Sequence, residues 1–227
     1  MSILSISGLI GSGKDTIVEY LCKNHNYQKV SFSAALKDAV ATIFGLDRVM
    51  LEGVTEEARM LREQIDPWWS SKLGYEVSPR SILVDFGTRS ARDNFNKDIW
   101  VLALQKKIEL SMVNDYGANL VVSDARFFNE LSMVRNLGGT NFRVIRHTPE
   151  WVPLFQNRVS SSLGKIAAPA PYHLISDIGM RVMEASDFGI HQSEWEHTLW
   201  EHFLYLNNSS TIEDLFKQVD LFLECLI

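Results

Sequence analysis

Residues 2–7, Ser-Ile-Leu-Ser-Ile-Ser, form an apolar run of strand length that stops at Gly8. Ile17, Val18 and Leu21 then fall on one face of a helix. Residues 30–33 read as a second strand. The following helix, over 35–44, turns Leu36, Ala39, Val40 and Ile43 inward, and Gly45 ends it. Residues 46–79 break this β–α rhythm. A charged helix over 56–63 precedes Asp66-Pro67-Trp68-Trp69, Gly74 and Pro79, the profile of an inserted helical lid or substrate-binding segment. Arg80 opens a helix carrying Ile82, Leu83 and Phe86, which Gly87-Thr88 interrupts. Asp98 is suited to cap a long helix with Trp100, Val101, Leu104 and Ile108 inside.

The rhythm returns with an apolar strand over 119–124, a helix over 127–137 stopped by Gly138-Gly139, and a strand over 141–146. A last strand over 203–207 leads to a helix with Leu215, Val219, Leu223 and Leu226 inside. Ser210 and Glu213 have capping-box spacing before it. Residues 147–198 carry the weakest pattern. Pro149, Pro153, Pro169 and Pro171 divide them, and Ser160-Ser161-Ser162 suggests a mobile or inserted loop. This stretch is a candidate second insert of open role. The whole predicts one α/β domain over 1–227: a three-layer, mostly parallel five-stranded sheet flanked by helices.

Composition narrows the classes. Hydrophobic residues at 46% and charged residues at 22% suit a soluble protein with an ordinary core. The net charge of −6 argues against stable nucleic-acid binding, though a phosphate pocket needs only a few basic groups. Cys22 and Cys225 form no metal motif and read as buried thiols in a reducing compartment. His191, His197 and His202 have no recognised zinc spacing. The apolar start has no basic leader, and no apolar run spans a membrane, so the expectation is a cytoplasmic protein without membrane attachment, in host cytoplasm if viral.

Candidate chemistry concentrates at residues 8–16, Gly-Leu-Ile-Gly-Ser-Gly-Lys-Asp-Thr. A strand, a glycine-rich turn and a helix are the context of a phosphate-binding loop. Backbone N–H groups of Gly11, Ser12 and Gly13 can cradle phosphate oxygens, helped by the positive end of the next helix. Lys14 supplies a point charge for the outer phosphates. The hydroxyl usual directly after the lysine is replaced by Asp15 and comes one residue later, at Thr16. Asp15 would repel bare phosphate; it either faces a hydrated Mg²⁺ or is simply a favourable carboxylate in a helix's first turn.

The apolar strand ending in Asp124 is the pattern of a Mg²⁺-orienting element, and Arg126 follows where ligand-facing loops leave a parallel sheet. Lys37, in a helix's first turn, is unfavourable for the dipole, and either a bound phosphate rewards it or it is a solvated surface lysine. Arg59 and Arg62, one turn apart, could grip a phosphate or form a solvated face. Trp68 and Trp69 could stack on a base or pack the insert. Trp100 reads as core from its pattern alone. Asn96-Lys97-Asp98 is similar to a guanine-reading motif but lacks its spacer and preceding strand.

Taken together, the chain resembles the bacteriophage-type deoxynucleoside monophosphate kinases of the P-loop kinase superfamily. The shared features are Gly-Ser-Gly-Lys-Asp-Thr at 11–16, Ala-Leu-Lys-Asp-Ala at 35–39 before Phe44-Gly45, Phe86-Gly87-Thr88 with Asp98 and Trp100 downstream, and Ser123-Asp124 with Arg126 and Glu130. They cover most of residues 1–146, and the final strand and helix also fit. The resemblance implies transfer of the γ-phosphoryl of ATP to a deoxynucleoside 5′-monophosphate, with Mg²⁺. It implies that Gly11, Ser12, Gly13, Lys14, Asp15 and Thr16 hold ATP. Lys37, Arg80, Gly87 and Trp100 would line the monophosphate site, with Arg59 and Arg62 as further candidates. Asp124 would lie near the metal and reacting phosphates, Arg126 would neutralise the transferred group, and Asp15 and Asp124 would meet the metal through water. A homodimer is compatible with it. Alternatives are a kinase of the phosphomevalonate or dephospho-coenzyme A type, or a non-catalytic nucleotide-binding module.

Overall fold

A strand buried along its whole length, β1 (Ile3–Ser7), is the centre of the sheet. The computed structural model describes residues 2–114, 118–163, 171–186, 189–200 and 204–225. After β1 come α1 (Lys14–Asn24), β2 (Tyr27–Val30), α2 (Ala34–Phe44), α3 (Arg48–Glu52), α4 (Glu56–Glu63) and α5 (Pro67–Leu73). Then follow α6 (Pro79–Asp85), a π-helix (Phe86–Asp93), α7 (Ile99–Asn114), β3 (Asn119–Val122), α8 (Phe128–Asn136) and β4 (Thr140–Ile145). The chain ends with α9 (Trp151–Leu163), α10 (Tyr172–Glu184), α11 (Gln192–Trp195), a 3-10 turn (Glu196–Leu199), β5 (Leu204–Asn207) and α12 (Ile212–Cys225).

Two units make up the chain: Met1–Ser31 with Ser111–Ile227, and Phe32–Leu110. The first holds the sheet. Its order is β2-β3-β1-β4-β5, and every ladder is parallel. This is the expected α/β architecture, and parallel strands need covering on both faces. One face packs Ile17, Val18 and Leu21 of α1 and Leu215 and Val219 of α12 against Leu4, Ile6, Val121, Phe142, Val144 and Leu206. On the other, α8 packs against β1 and β4. There the buried Asn141 donates to the carbonyl of Leu131 at 3.1 Å. At Gly139 a Cβ would lie 2.7 Å from the carbonyl oxygen of Ile3, so only glycine lets α8 feed β4 this closely.

Several expected boundaries shift. β2 begins at Tyr27 and ends at Val30, because Asn26 turns the chain with φ 55° and the buried Tyr27 anchors the strand. Residues 31–33 lie beyond it, and the Ser31 hydroxyl donates to Asp124 instead. Strand β3 likewise ends at Val122, before Asp124. In α2 only Val40 is fully buried, and Ile43 is 55% exposed. Gly87-Thr88 does not interrupt its helix: the chain widens into the π-helix, where Gly87 lets Leu36 approach. The serines at 160–162 form the last turns of α9, not a loop. Pro153 is tolerated there because it sits in the first turn, where no intrahelical donor is needed. The α12 cap is Thr211, whose hydroxyl accepts the Asp214 N–H at 3.2 Å; Ser210 instead donates to the Asp214 carboxylate at 2.7 Å. Cys225 is exposed and Cys22 half-buried, and both are free thiols. Pro169, His202, Phe203 and Leu226 lie outside the described residues.

The described residues of 147–198 have a core of their own within the first unit. Phe155 and Val159 of α9, Ile178 and Met183 of α10, and Trp195 of α11 form one buried cluster. Gly179 makes room for it, since a Cβ there would meet the Trp195 ring at 2.6 Å.

Candidate phosphate-binding site

The glycine loop leaves the carboxyl end of β1, the centre of the parallel sheet, where α/β proteins place their ligand crevices. Gly8, Gly11 and Gly13 have φ of 150°, 74° and 99°. Two of these glycines are also packed tightly. A Cβ on Gly8 would lie 2.6 Å from the Val144 carbonyl oxygen, and one on Gly13 would lie 2.5 Å from Asn208 Nδ2. Asn208, just past β5, donates that Nδ2 to the Ser12 carbonyl at 2.8 Å and so braces the loop from the far edge of the sheet. The Ser12 N–H closes a turn onto Leu9 at 3.1 Å, and the buried Ser12 hydroxyl has no hydrogen-bond partner among the described residues.

Lys14 opens α1, and its Nζ donates to the carbonyls of Gly8 and Leu9, each at 2.8 Å. Burial lowers its pKa, and Arg126 lowers it further, while Glu194 and Asp15 oppose the shift. A lysine short of solvent beside an arginine favours an anionic ligand electrostatically. Asp15 is exposed and Thr16 half-buried on the first turn of α1.

From β3, adjacent to β1, come the other two expected catalytic residues. Asp124 accepts the Ser31 hydroxyl at 2.7 Å. Arg126 is ion-paired with Glu194 through NH1, and its backbone N–H donates to Glu130 at 2.7 Å. The first unit therefore brings Lys14, Asp124 and Arg126 to the carboxyl ends of neighbouring strands. Hard oxygen donors such as Asp124 and the Ser31 hydroxyl suit Mg²⁺, which takes one or two carboxylates and leaves its other positions to water and phosphate. Among the described residues, no group of three or more His, Cys, Asp or Glu is placed to hold a metal ion by itself.

The remaining candidates belong to the second unit. Lys37 Nζ is 3.1 Å from Glu52. Burial pushes the Glu52 carboxyl up, but Arg48 and Lys37 outweigh it and hold the carboxyl below its usual range. Arg59 donates to the carbonyls of Gly53 and Val54 at 2.9 and 3.3 Å, and Arg62 reaches that of Leu51 at 3.5 Å. Both arginines thus serve the end of α3. The Arg62 Nε is buried with no hydrogen-bond partner among the described residues, and burial followed by the charge of Arg80 lowers the Arg62 pKa. Arg80 is exposed and lies 3.5 Å from Glu63. Trp100 is buried and donates Nε1–H to the Gly87 carbonyl at 3.0 Å, which ties α7 to the π-helix. Trp69 donates to the Phe44 carbonyl at 3.0 Å and packs edge-on against the Phe44 ring, whereas Trp68 is exposed.

The sequence did not single out Ser31, Asn208, Glu194 or Arg143, and it offered His197 only as a histidine without zinc spacing. Arg143, on β4 opposite Ser7, is buried and donates to the Thr198 carbonyl at 3.2 Å. His197 is 1% exposed, and neither ring nitrogen has a hydrogen-bond partner among the described residues. Asn208 alone had a signal, its place just after a sheet strand.

No family model matches the chain. Over 153 residues, 64% of this chain and 75% of the relative, it is 28% identical to the "Putative deoxynucleotide monophosphate kinase" of Acanthamoeba polyphaga mimivirus. Among solved structures, TT1252 from Thermus thermophilus aligns over 100% of this chain and 98% of that one, with TM-score 0.41 and 14% identity. A gluconokinase from Sinorhizobium meliloti 1021 aligns over 99% and 95%, with TM-score 0.35 and 12% identity. Among the described residues, no helix is long and apolar enough to cross a membrane.

Proposed function

We propose that this chain transfers the γ-phosphoryl group of ATP to a deoxynucleoside 5′-monophosphate, giving the diphosphate and ADP. The observation that carries the proposal is the placement of Lys14, Asp124 and Arg126 just past the carboxyl ends of the neighbouring strands β1 and β3, with the glycine loop between β1 and α1 held at positive φ. The name of the mimivirus relative supports the same reading. An ionised acceptor oxygen bonds to the γ-phosphorus as the bond to the bridging β–γ oxygen breaks, and ADP leaves with that electron pair. The acceptor is already an anion, so the reaction needs positioning and charge stabilisation rather than a strong base.

In this proposal the loop of Gly11, Ser12 and Gly13 binds the phosphates of ATP, with Thr16 at the start of α1. Lys14 follows the charge of the outer phosphates and Arg126 meets the transferred group. Asp124, with Asp15 through water, would hold Mg²⁺, which when bound neutralises phosphate charge. Lys37, Arg59, Arg62, Arg80, Gly87 and Trp100 are assigned to the acceptor side.

The test is ADP release across a panel of deoxynucleoside monophosphates, with the diphosphate identified by mass. Lys14→Ala should abolish turnover and keep the wild-type melting profile, because its side chain bonds to the loop's own carbonyls of Gly8 and Leu9 and joins no other element through them. Near-normal turnover in that folded variant would remove the loop from the reaction. Turnover only with phosphomevalonate or dephospho-coenzyme A would reassign the acceptor, and ATP binding with no acceptor-dependent turnover would indicate a binding module.

A further inference from the structure

Carboxylates hold the turn at 126–128 on every side. Glu130 accepts the backbone N–H groups of Arg126 and Phe127 at 2.7 and 3.1 Å. Glu196 accepts the Phe128 N–H at 2.9 Å. Glu194 takes the Arg126 side chain through NH1. The first two contacts fix the backbone from which Arg126 projects, and the third fixes its guanidinium.

Glu194 stands on firm ground itself. Its neighbour Trp195 is fully buried against Phe155, with ring centroids 5.2 Å apart. Glu196 is buried and also accepts the Ser176 hydroxyl at 3.1 Å and the Gln192 amide. The Ser193 N–H donates to His191 Nδ1 at 3.2 Å. A carboxylate on so anchored a segment can orient a partner rather than follow it. The Arg126 and Glu194 side chains are 42% and 28% exposed, so the pair is worth little as a stability element and more as a geometric one. A guanidinium has five N–H donors in a fixed fork, so one bond to Glu194 leaves others for a phosphoryl group.

We propose that Glu194 is a positioning residue that holds the Arg126 guanidinium in the orientation phosphoryl transfer requires. The proposal rests on the kinase reading above, and it makes the 192–196 stretch part of the working site rather than a mere insert.

Glu194→Gln keeps the shape and removes the charge; Glu194→Asp keeps the charge and shortens the reach. Glu194→Gln should lower kcat about tenfold or more with both KM values nearly unchanged, since misdirecting a reacting group costs rate rather than ground-state affinity. In an Arg126→Ala background it should cost nothing further. Glu194→Asp should be similarly impaired. The side-chain NMR signal of the Arg126 Nε–H should report faster guanidinium motion in Glu194→Gln. Unchanged kcat, an equal further loss in the Arg126→Ala background, or tighter ATP binding with kcat retained would each overturn the proposal. If the wild type turns over no monophosphate, the kinase reading fails, and the NMR comparison judges Glu194 separately: unchanged Arg126 motion would overturn its positioning role.

Discussion

At the scale of single residues, His197 makes the sharpest physical statement. Burial, then the charges of Arg143, Lys14 and Arg126, push its pKa from 6.5 down to about 3. The folded chain therefore refuses a proton that the unfolded chain accepts. The resulting stability is complete above pH 6.5 and is lost as pH falls toward 3, at no more than about 1.4 kcal/mol per pH unit. His197→Phe should flatten this part of the profile, which thermal melts at pH 7 and pH 5 would measure; parallel losses in both proteins would assign the slope to other groups. Arg126 makes the complementary prediction about rate. Arg126→Ala should lower kcat and kcat/KM together by roughly 10²-fold or more. Arg126→Lys should recover little, because a point charge cannot replace a planar fork already engaged on one side. A rise in KM alone would make Arg126 a binding residue. Lys14, Asp124 and Arg126 could be singled out as candidates because motif spacing is local. Their partners could not: Ser31 meets Asp124 across 93 residues, Arg126 meets Glu194 across 68, and Asn208 meets Ser12 across 196.

At the scale of elements, the β1–loop–α1 unit depends on backbone shape. Gly13→Ala would impose a side chain at φ 99° and drive its Cβ to 2.5 Å from Asn208 Nδ2. We expect a loss of about 1–3 kcal/mol, read as a lower melting temperature, together with weakened ATP binding. Asn208→Ala in the same chain should relieve the steric part and leave the backbone part. A variant with unchanged melting and unchanged ATP affinity would mean that the loop does not need this conformation. Elements with strong periodicity, such as α7 with Trp100, Val101, Leu104 and Ile108 all buried, were fully readable. Gly87-Thr88 misled because a glycine signals a break only when nothing rewards the helix. Here Leu36 fills the space and Trp100 takes the Gly87 carbonyl, so packing outweighs propensity. The serines of α9 misled similarly, since Phe155 and Val159 anchor that helix on an apolar cluster.

At the scale of the whole molecule, the proposed ATP residues lie in the unit that holds the sheet, and the proposed acceptor residues in Phe32–Leu110. Lys37→Ala and Arg80→Ala should raise KM for the monophosphate far more than KM for ATP, with about 1.5–3 kcal/mol for each lost charge-assisted contact. Each variant should stay folded. Glu52 keeps its 2.8 Å contact with Arg48 when Lys37 is removed, and Arg80 is exposed. Defects confined to ATP affinity, measured by calorimetry, would reject the acceptor assignment.

The sequence by itself determined the parallel α/β class, and it singled out the glycine loop with Lys14 and the pair Asp124 and Arg126 just past a sheet strand. These rest on short-range rules: helical and strand periodicity, and residues whose chemistry works at fixed spacing. Only the tertiary structure decided that the described part of 147–198 forms helices around an apolar cluster with residues 160–162 inside α9, that Arg59 and Arg62 close α3, and that Asn208 braces the glycine loop. It alone brought Glu194 to Arg126 and buried His197 among three cations. Such contacts join segments that have no neighbourhood in the chain, and chain folding, not local preference, supplies the charges and surfaces that meet there.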